Sequence, residues 1–138
     1  MRFMMIRRAD ANTEAGVAPD EELLAAMARY NEELVKAGVM LAGDGLKPSS
    51  QGALVKFSNG KPRVIDGPFA EAKELVAGYS IIEVGSKEEA IEWAKRWPAF
   101  SYEENVEIEL RPLYELSDFG DSEAVKHHER LREQMGQR

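Results

Sequence analysis

Cysteine is absent from the 138 residues, which removes disulfides, thiolate nucleophiles and thiolate metal ligands at once. Histidine is almost as scarce. His127 and His128 are adjacent near the C-terminal end, so on a helix they diverge and do not chelate one ion as an i, i+4 pair does. No metal site is expected, and with no Cys, no earlier His and no Gly-x-Ser-x-Gly a nucleophilic triad lacks its members. Long apolar runs are missing too. Nothing approaches the roughly 20 residues needed to cross a bilayer. The start, Met1-Arg2-Phe3-Met4-Met5-Ile6-Arg7-Arg8, is too briefly apolar for a signal peptide and has no small-residue cleavage site. It reads as the first strand of a cytoplasmic protein. Positive charge is in deficit, 18 Lys and Arg against 25 Asp and Glu for a net charge of −7. A phosphate backbone demands clustered cations, and Arg2, Arg7 and Arg8 are too few, so nucleic acid is not an expected partner.

What is present is an ordinary globular composition, 43% hydrophobic and 31% charged. The length fits one domain able to bury roughly two thirds of its unfolded surface. Residues 3–6 and 75–84 are apolar on both parities, the pattern of strands covered on two faces. Residues 9–18 read as a loop. Pro19 and the acidic Asp20-Glu21-Glu22 then open a helix with Leu23, Met27, Tyr30 and Leu34 on its apolar stripe, closed by Lys36 and Gly38. Residues 39–42 form a short strand running into Gly43-Asp44-Gly45-Leu46, a turn too short to cradle phosphate. Residues 53–57 and 62–65 flank Ser58-Asn59-Gly60-Lys61, a hairpin signal. A brief helical stretch is expected at 69–73. Ser86-Lys87-Glu88-Glu89 has capping-box form and starts a helix to about Trp97 with Ala90, Trp93, Ala94 and Trp97 buried. Residues 106–112 alternate, turning Val106, Ile108 and Leu110 inward and Glu107, Glu109 and Arg111 outward.

The order β, α, β, hairpin, β, α, β predicts an α+β, ferredoxin-like split βαβ fold with an antiparallel sheet and two helices on one face. Two helices cover one face only. The other apolar face predicts a homodimer in which two sheets cover each other. Residues 117–138 are charged and only weakly amphipathic, so they read as a helical C-terminal extension, around 122–134, to a domain at 1–116.

The densest chemistry lies in Asp66-Gly67-Pro68-Phe69-Ala70-Glu71-Ala72-Lys73-Glu74. Asp66, at a strand end, is the candidate catalytic acid or base, or else a turn and cap residue beside Gly-Pro. Glu71 and Glu74 share a helix face, either as paired carboxylates or as a solvated surface, while Lys73 balances charge or meets an anionic substrate. Tyr30, Leu46, Phe69, Glu71, Lys73 and Glu74 are therefore the candidate ligand-binding residues of a polar cleft near Asp66. The alternative reading makes Tyr30 a core residue and Phe69 a core or dimer contact. No cofactor is expected.

Asp66-Gly67-Pro68-Phe69, Glu71, Lys73-Glu74 and Gly78-Tyr79, with Gly43-x-Gly45-Leu46 before and Ala90, Trp93, Ala94 and Arg111-Pro112 after, resemble the DGPF branch of the YCII-related proteins over about residues 1–116. The resemblance implies a bacterial, cytoplasmic, dimeric α/β barrel. Some members resemble partners of extracytoplasmic-function sigma factors by gene neighbourhood, and the wider superfamily looks enzyme-like through a His/Asp pair. Here both histidines lie beyond the matched region, so that pair is not carried over. Two functions are open: a cofactor-independent small-molecule enzyme or binding protein, and a non-catalytic dimeric regulatory or interaction protein.

Overall fold

Strand β1 (Arg2–Arg8) turns Phe3 and Met5 to one face and Met4 and Ile6 to the other. The structure, a computed structural model, describes residues 1–68, 74–99 and 106–136, so the helical stretch expected at 69–73 lies outside the described residues. Within the expected loop at 9–18 sits one helical turn, α1 (Ala11–Glu14). The Thr13 N–H donates to the Asp10 carboxylate at 2.8 Å and the Asp10 N–H donates to the Thr13 hydroxyl at 2.8 Å, a reciprocal cap that holds four residues without any apolar stripe.

Helix α2 (Glu21–Lys36) begins where the Asp20 carboxylate accepts the Leu23 N–H at 2.8 Å. Its fully buried stripe is Ala26, Tyr30 and Leu34, each four residues apart; Met27 packs at the edge of the core and Leu23 is only half-buried, so the stripe is rotated slightly from the expected one. Strand β2 (Met40–Gly45) follows. Then come the hairpin strands β3 (Ala53–Ser58) and β4 (Lys61–Asp66), whose turn puts Asn59 at φ 53° and Gly60 at φ 77°, the double left-handed geometry that Asn-Gly favours. Strand β5 (Val76–Glu83) and helix α3 (Lys87–Lys95) come next. At the start of α3 the Glu89 N–H donates to the Ser86 hydroxyl, while the Glu89 carboxylate accepts the Gly85 N–H, one residue earlier than a standard box. Strand β6 (Ile108–Pro112) and helix α4 (Glu123–Gln134), capped by Ser122, complete the order. In α4, Val125 is buried, so the extension has an anchor of its own.

Among the described residues the main sheet has the order β2-β5-β1-β6 with every pair antiparallel, and β3 pairs only with β4 in a second sheet. Two βαβ units, each split by a strand of the other, make the fold ferredoxin-like. Helices α2 and α3 share one face of the sheet. Phe3, Met5, Tyr30, Leu34, Val39, Ile82, Val84 and Ala90 form the core there, with Trp93, Trp97, Ile108 and Leu110 packed at its margin. The inward alternation expected of Ile108 and Leu110 follows from their register opposite Arg7 and Met5. Across the opposite face, the strand pairing aligns Met4 and Ile6 with Ile81 and Tyr79, none of which packs on that core. Among the described residues no helix is long and apolar enough to cross a membrane.

Candidate binding groove at the base of the hairpin

The hairpin springs from the Ala53–Asp66 pair, and the Gly67 N–H extends the ladder by donating to the Gly52 carbonyl at 3.2 Å. Directly beyond, the backbone folds onto itself. A Cβ at Gly67 would overlap the Ser49 carbonyl oxygen and stand 2.5 Å from its carbonyl carbon, so no residue with a side chain fits. The glycine of the Asp-Gly-Pro-Phe run is thus required by close approach to the 3₁₀ turn Ser49–Gln51. The Gly67–Pro68 peptide is cis.

That turn is held from the other side. The Glu14 carboxylate accepts the Ser49 N–H at 2.9 Å and the Ser49 hydroxyl at 2.5 Å, joining α1 to the segment after β2. The Leu46 N–H donates to the Ala77 carbonyl at 2.8 Å and fixes where that segment leaves the sheet. Between these ties lies an open groove of ≈ 510 Å³. Leu46, Ala53, Leu75 and Val76 give it apolar walls, while Lys47, Ser49, Gln51 and Glu14 add polar groups.

Of the residues expected to line a cleft, Leu46 is in this groove and Asp66 is cross-strand from its wall residue Ala53. The Asp66 side chain is exposed, and Glu74 is exposed as well. Phe69, Glu71 and Lys73 lie outside the described residues. Tyr30 is elsewhere and corrects the expectation of a ligand-facing hydroxyl. It is 4% exposed within the core, donates to the Trp93 carbonyl at 2.7 Å, and stands edge-on to Trp97 with ring centroids 5.6 Å apart. Burial pushes its hydroxyl up to about 12, opposed by Arg96, so it stays protonated as a structural donor. Glu14, Ser49 and Gln51 were not among the expected site residues. Glu14 and Ser49 are 35 positions apart, and no local pattern announces a contact between two loops.

The charges concentrate at the β1–β6 border. Arg8 pairs with Glu109 at 2.6 Å and with Glu107 at 3.6 Å, and Arg111 reaches Glu109 at 3.3 Å. Arg2 makes a bidentate contact with Glu115 at 2.9 and 3.1 Å, whose hydrogen bonds hold the Glu115 carboxyl below its usual range. For Asp10, burial pushes the carboxyl up, but the Thr13 N–H and the Arg7 guanidinium at 3.2 Å outweigh it and leave it below the ordinary range.

Residues 1–115 match the model of the YCII-related domain. The chain belongs to the YCII-related family. The motifs around Asp66, Gly78 and Trp93 thus sit within the family's span. The chain is 33% identical over 76 residues to an uncharacterized protein of Rhizobium meliloti (strain 1021), covering 55% of this chain and 61% of that one. The match therefore spans less than two thirds of that relative's length. Among solved structures, this YCII-related chain is similar to 5-chloro-2-hydroxyhydroquinone dehydrochlorinase (TftG) from Burkholderia phenoliruptrix AC1100 in complex with 2,5-dihydroxybenzoquinone. The identity is 16%, the TM-score 0.44, and the match covers 83% of this chain and 94% of that one.

Proposed function

We propose that this YCII-related chain is a homodimeric, cofactor-independent binding protein for a small organic molecule, held in the groove at the base of the hairpin. The observation that carries this reading is the meeting of apolar walls from Leu46, Ala53, Leu75 and Val76 with the polar groups of Lys47, Ser49 and Gln51 in a space of ≈ 510 Å³. Ligand sites are typically apolar concavities of roughly 300–1,000 Å³ with a few placed polar groups. Asp66, one cross-strand step away, supplies a carboxylate at the rim. A thermal-shift screen against small organic acids, phenols and amides tests it, with the natural protein beside Leu46→Asp and Asp66→Asn. The expected result is a ligand that raises the melting temperature of the natural protein and not of Leu46→Asp. No stabilisation by any compound, or equal stabilisation of Leu46→Asp, overturns the reading.

The homodimer rests on the sheet face turned away from α2 and α3. Met4, Ile6, Tyr79 and Ile81 carry apolar surface away from the helices, and pairing two such sheets about a two-fold axis buries it as an α/β barrel. A monomeric mass at micromolar concentration in sedimentation overturns the dimer.

A second reading is favoured by the solvent-facing side chain of Asp66. A catalytic carboxylate is tuned by burial or neighbours, so an exposed one suits a non-catalytic regulatory dimer, linked to an extracytoplasmic-function sigma factor. Co-elution with such a sigma factor at micromolar concentration supports this reading, and separate elution removes it.

A further inference from the structure

Among the described residues the β3–β4 hairpin pairs with no strand of the main sheet, and a two-stranded ribbon alone in water is marginal at best. Its register sorts the side chains into two unlike faces. Val55 lies opposite Val64 and Phe57 opposite Pro62, so the outer part of one face is apolar, with Asp66 beside Ala53 at its base. On the other, Lys56 lies directly opposite Arg63 and Lys61 opposite Ser58, so its outer part is basic, with Leu54 and Ile65 at its base. Both faces are exposed, and on the apolar one Phe57 is 72%, Val64 65% and Val55 51% exposed. With six residues in each strand at about 3.3 Å per residue, the ribbon reaches roughly 20 Å from its base.

We propose that this hairpin is an arm that docks on a second copy of the same chain, with Val55, Phe57, Pro62 and Val64 packed against the partner and Lys56, Lys61 and Arg63 set among the partner's carboxylates. The inference rests on the dimer reading above and adds the contact that the sheet faces do not make. Charge selects the occupant. Side-by-side cations such as Lys56 and Arg63 repel each other unless an anionic surface lies near, and the chain carrying them has a net charge of −7. Exposed Asp44 on the edge strand β2 and exposed Glu83 at the end of β5 are of the complementary sign.

The test uses the full chain with p-benzoylphenylalanine in place of Phe57. Chains grown in ¹⁵N and in natural-abundance medium are mixed, allowed to exchange, irradiated, and the cross-linked peptides weighed. The expected result is cross-linked peptide pairs of mixed isotope content, which form only between two copies. In parallel, the double variant Phe57→Ser with Val64→Ser, at positions outside the core, is expected to keep its circular dichroism spectrum while its dimer dissociation constant rises by about tenfold or more. Cross-links confined to single-isotope pairs, or none, in a chain that sediments as a dimer overturn the arm and leave the sheet-face dimer standing. An unchanged dissociation constant in the double variant also overturns the arm alone. A natural protein that sediments as a monomer overturns both.

Discussion

Gly67 packs so tightly on Ser49 that a Cβ at position 67 would overlap the Ser49 carbonyl oxygen. The obstacle is backbone, and the turn it belongs to is tied down by Glu14. Replacing Gly67 with Ala is therefore expected to destabilise the protein by about 2 kcal/mol or more, since neither side can yield cheaply. Urea unfolding of Gly67→Ala checks this, and a loss under about 0.5 kcal/mol contradicts the packing described.

Tyr30→Phe removes the hydroxyl that donates to the Trp93 carbonyl, which then keeps the Arg96 N–H at 3.1 Å. The expected cost is about 1–2 kcal/mol of stability with no change in ligand response, because Tyr30 belongs to the core and not to the groove. Denaturant titration and the thermal-shift screen together read both parts.

Neighbouring residues on β5 are expected to respond in opposite ways. Ile82 is fully buried under the helices, so Ile82→Ala is expected to cost about 2–5 kcal/mol of folding stability. Ile81 faces away from the core helices, so Ile81→Glu is expected to keep the fold and to break the homodimer proposed above. Circular dichroism melts with sedimentation separate the two effects.

Acid is expected to loosen two ties. The Asp10 and Glu115 carboxyls are both held below their ordinary values, so their contribution is present above the unfolded carboxylate pKa. It is lost as the pH falls from about 4 through the lower folded values. Asp10→Asn and Glu115→Gln are expected to flatten that part of the stability curve, read from melting temperatures between neutral and acid pH. An unaltered acid limb in both variants contradicts the assignment.

Removing the Ser86 hydroxyl strips the Glu89 N–H of its acceptor at the start of α3. Ser86→Ala is expected to cost about 1 kcal/mol. Hydrogen exchange of the first-turn amides of α3 is the direct measurement.

Much of this architecture was legible in local chemistry. Asp20, Gly38, Asn59-Gly60 and Ser86 mark ends and turns because caps and left-handed geometry act over three or four residues. The ferredoxin-like order followed from those elements, since few topologies place two helices on one face of such a sheet. Apolar residues on both parities at 3–6 also foretold a face left bare by the helices. The one-turn helix at Ala11–Glu14 escaped notice because its cap joins Asp and Thr and it has no apolar period.

The site depended on contacts that no window of sequence contains. Asp66, Gly67 and Pro68 stood out as a run, yet the requirement for Gly67 comes from Ser49, 18 positions earlier, and the groove wall comes from Leu46, Ala53, Leu75 and Val76 meeting across three segments. Tyr30 showed the same limit from the other side: its helical spacing placed it on the buried stripe, but only packing against α3 decided that its hydroxyl would meet the Trp93 carbonyl. Local propensity and periodicity thus determined the elements, their order and the family, because those forces act along the chain. Tertiary structure alone decided which loops touch and which carboxylates are held, because those contacts exist only once distant segments have been brought together.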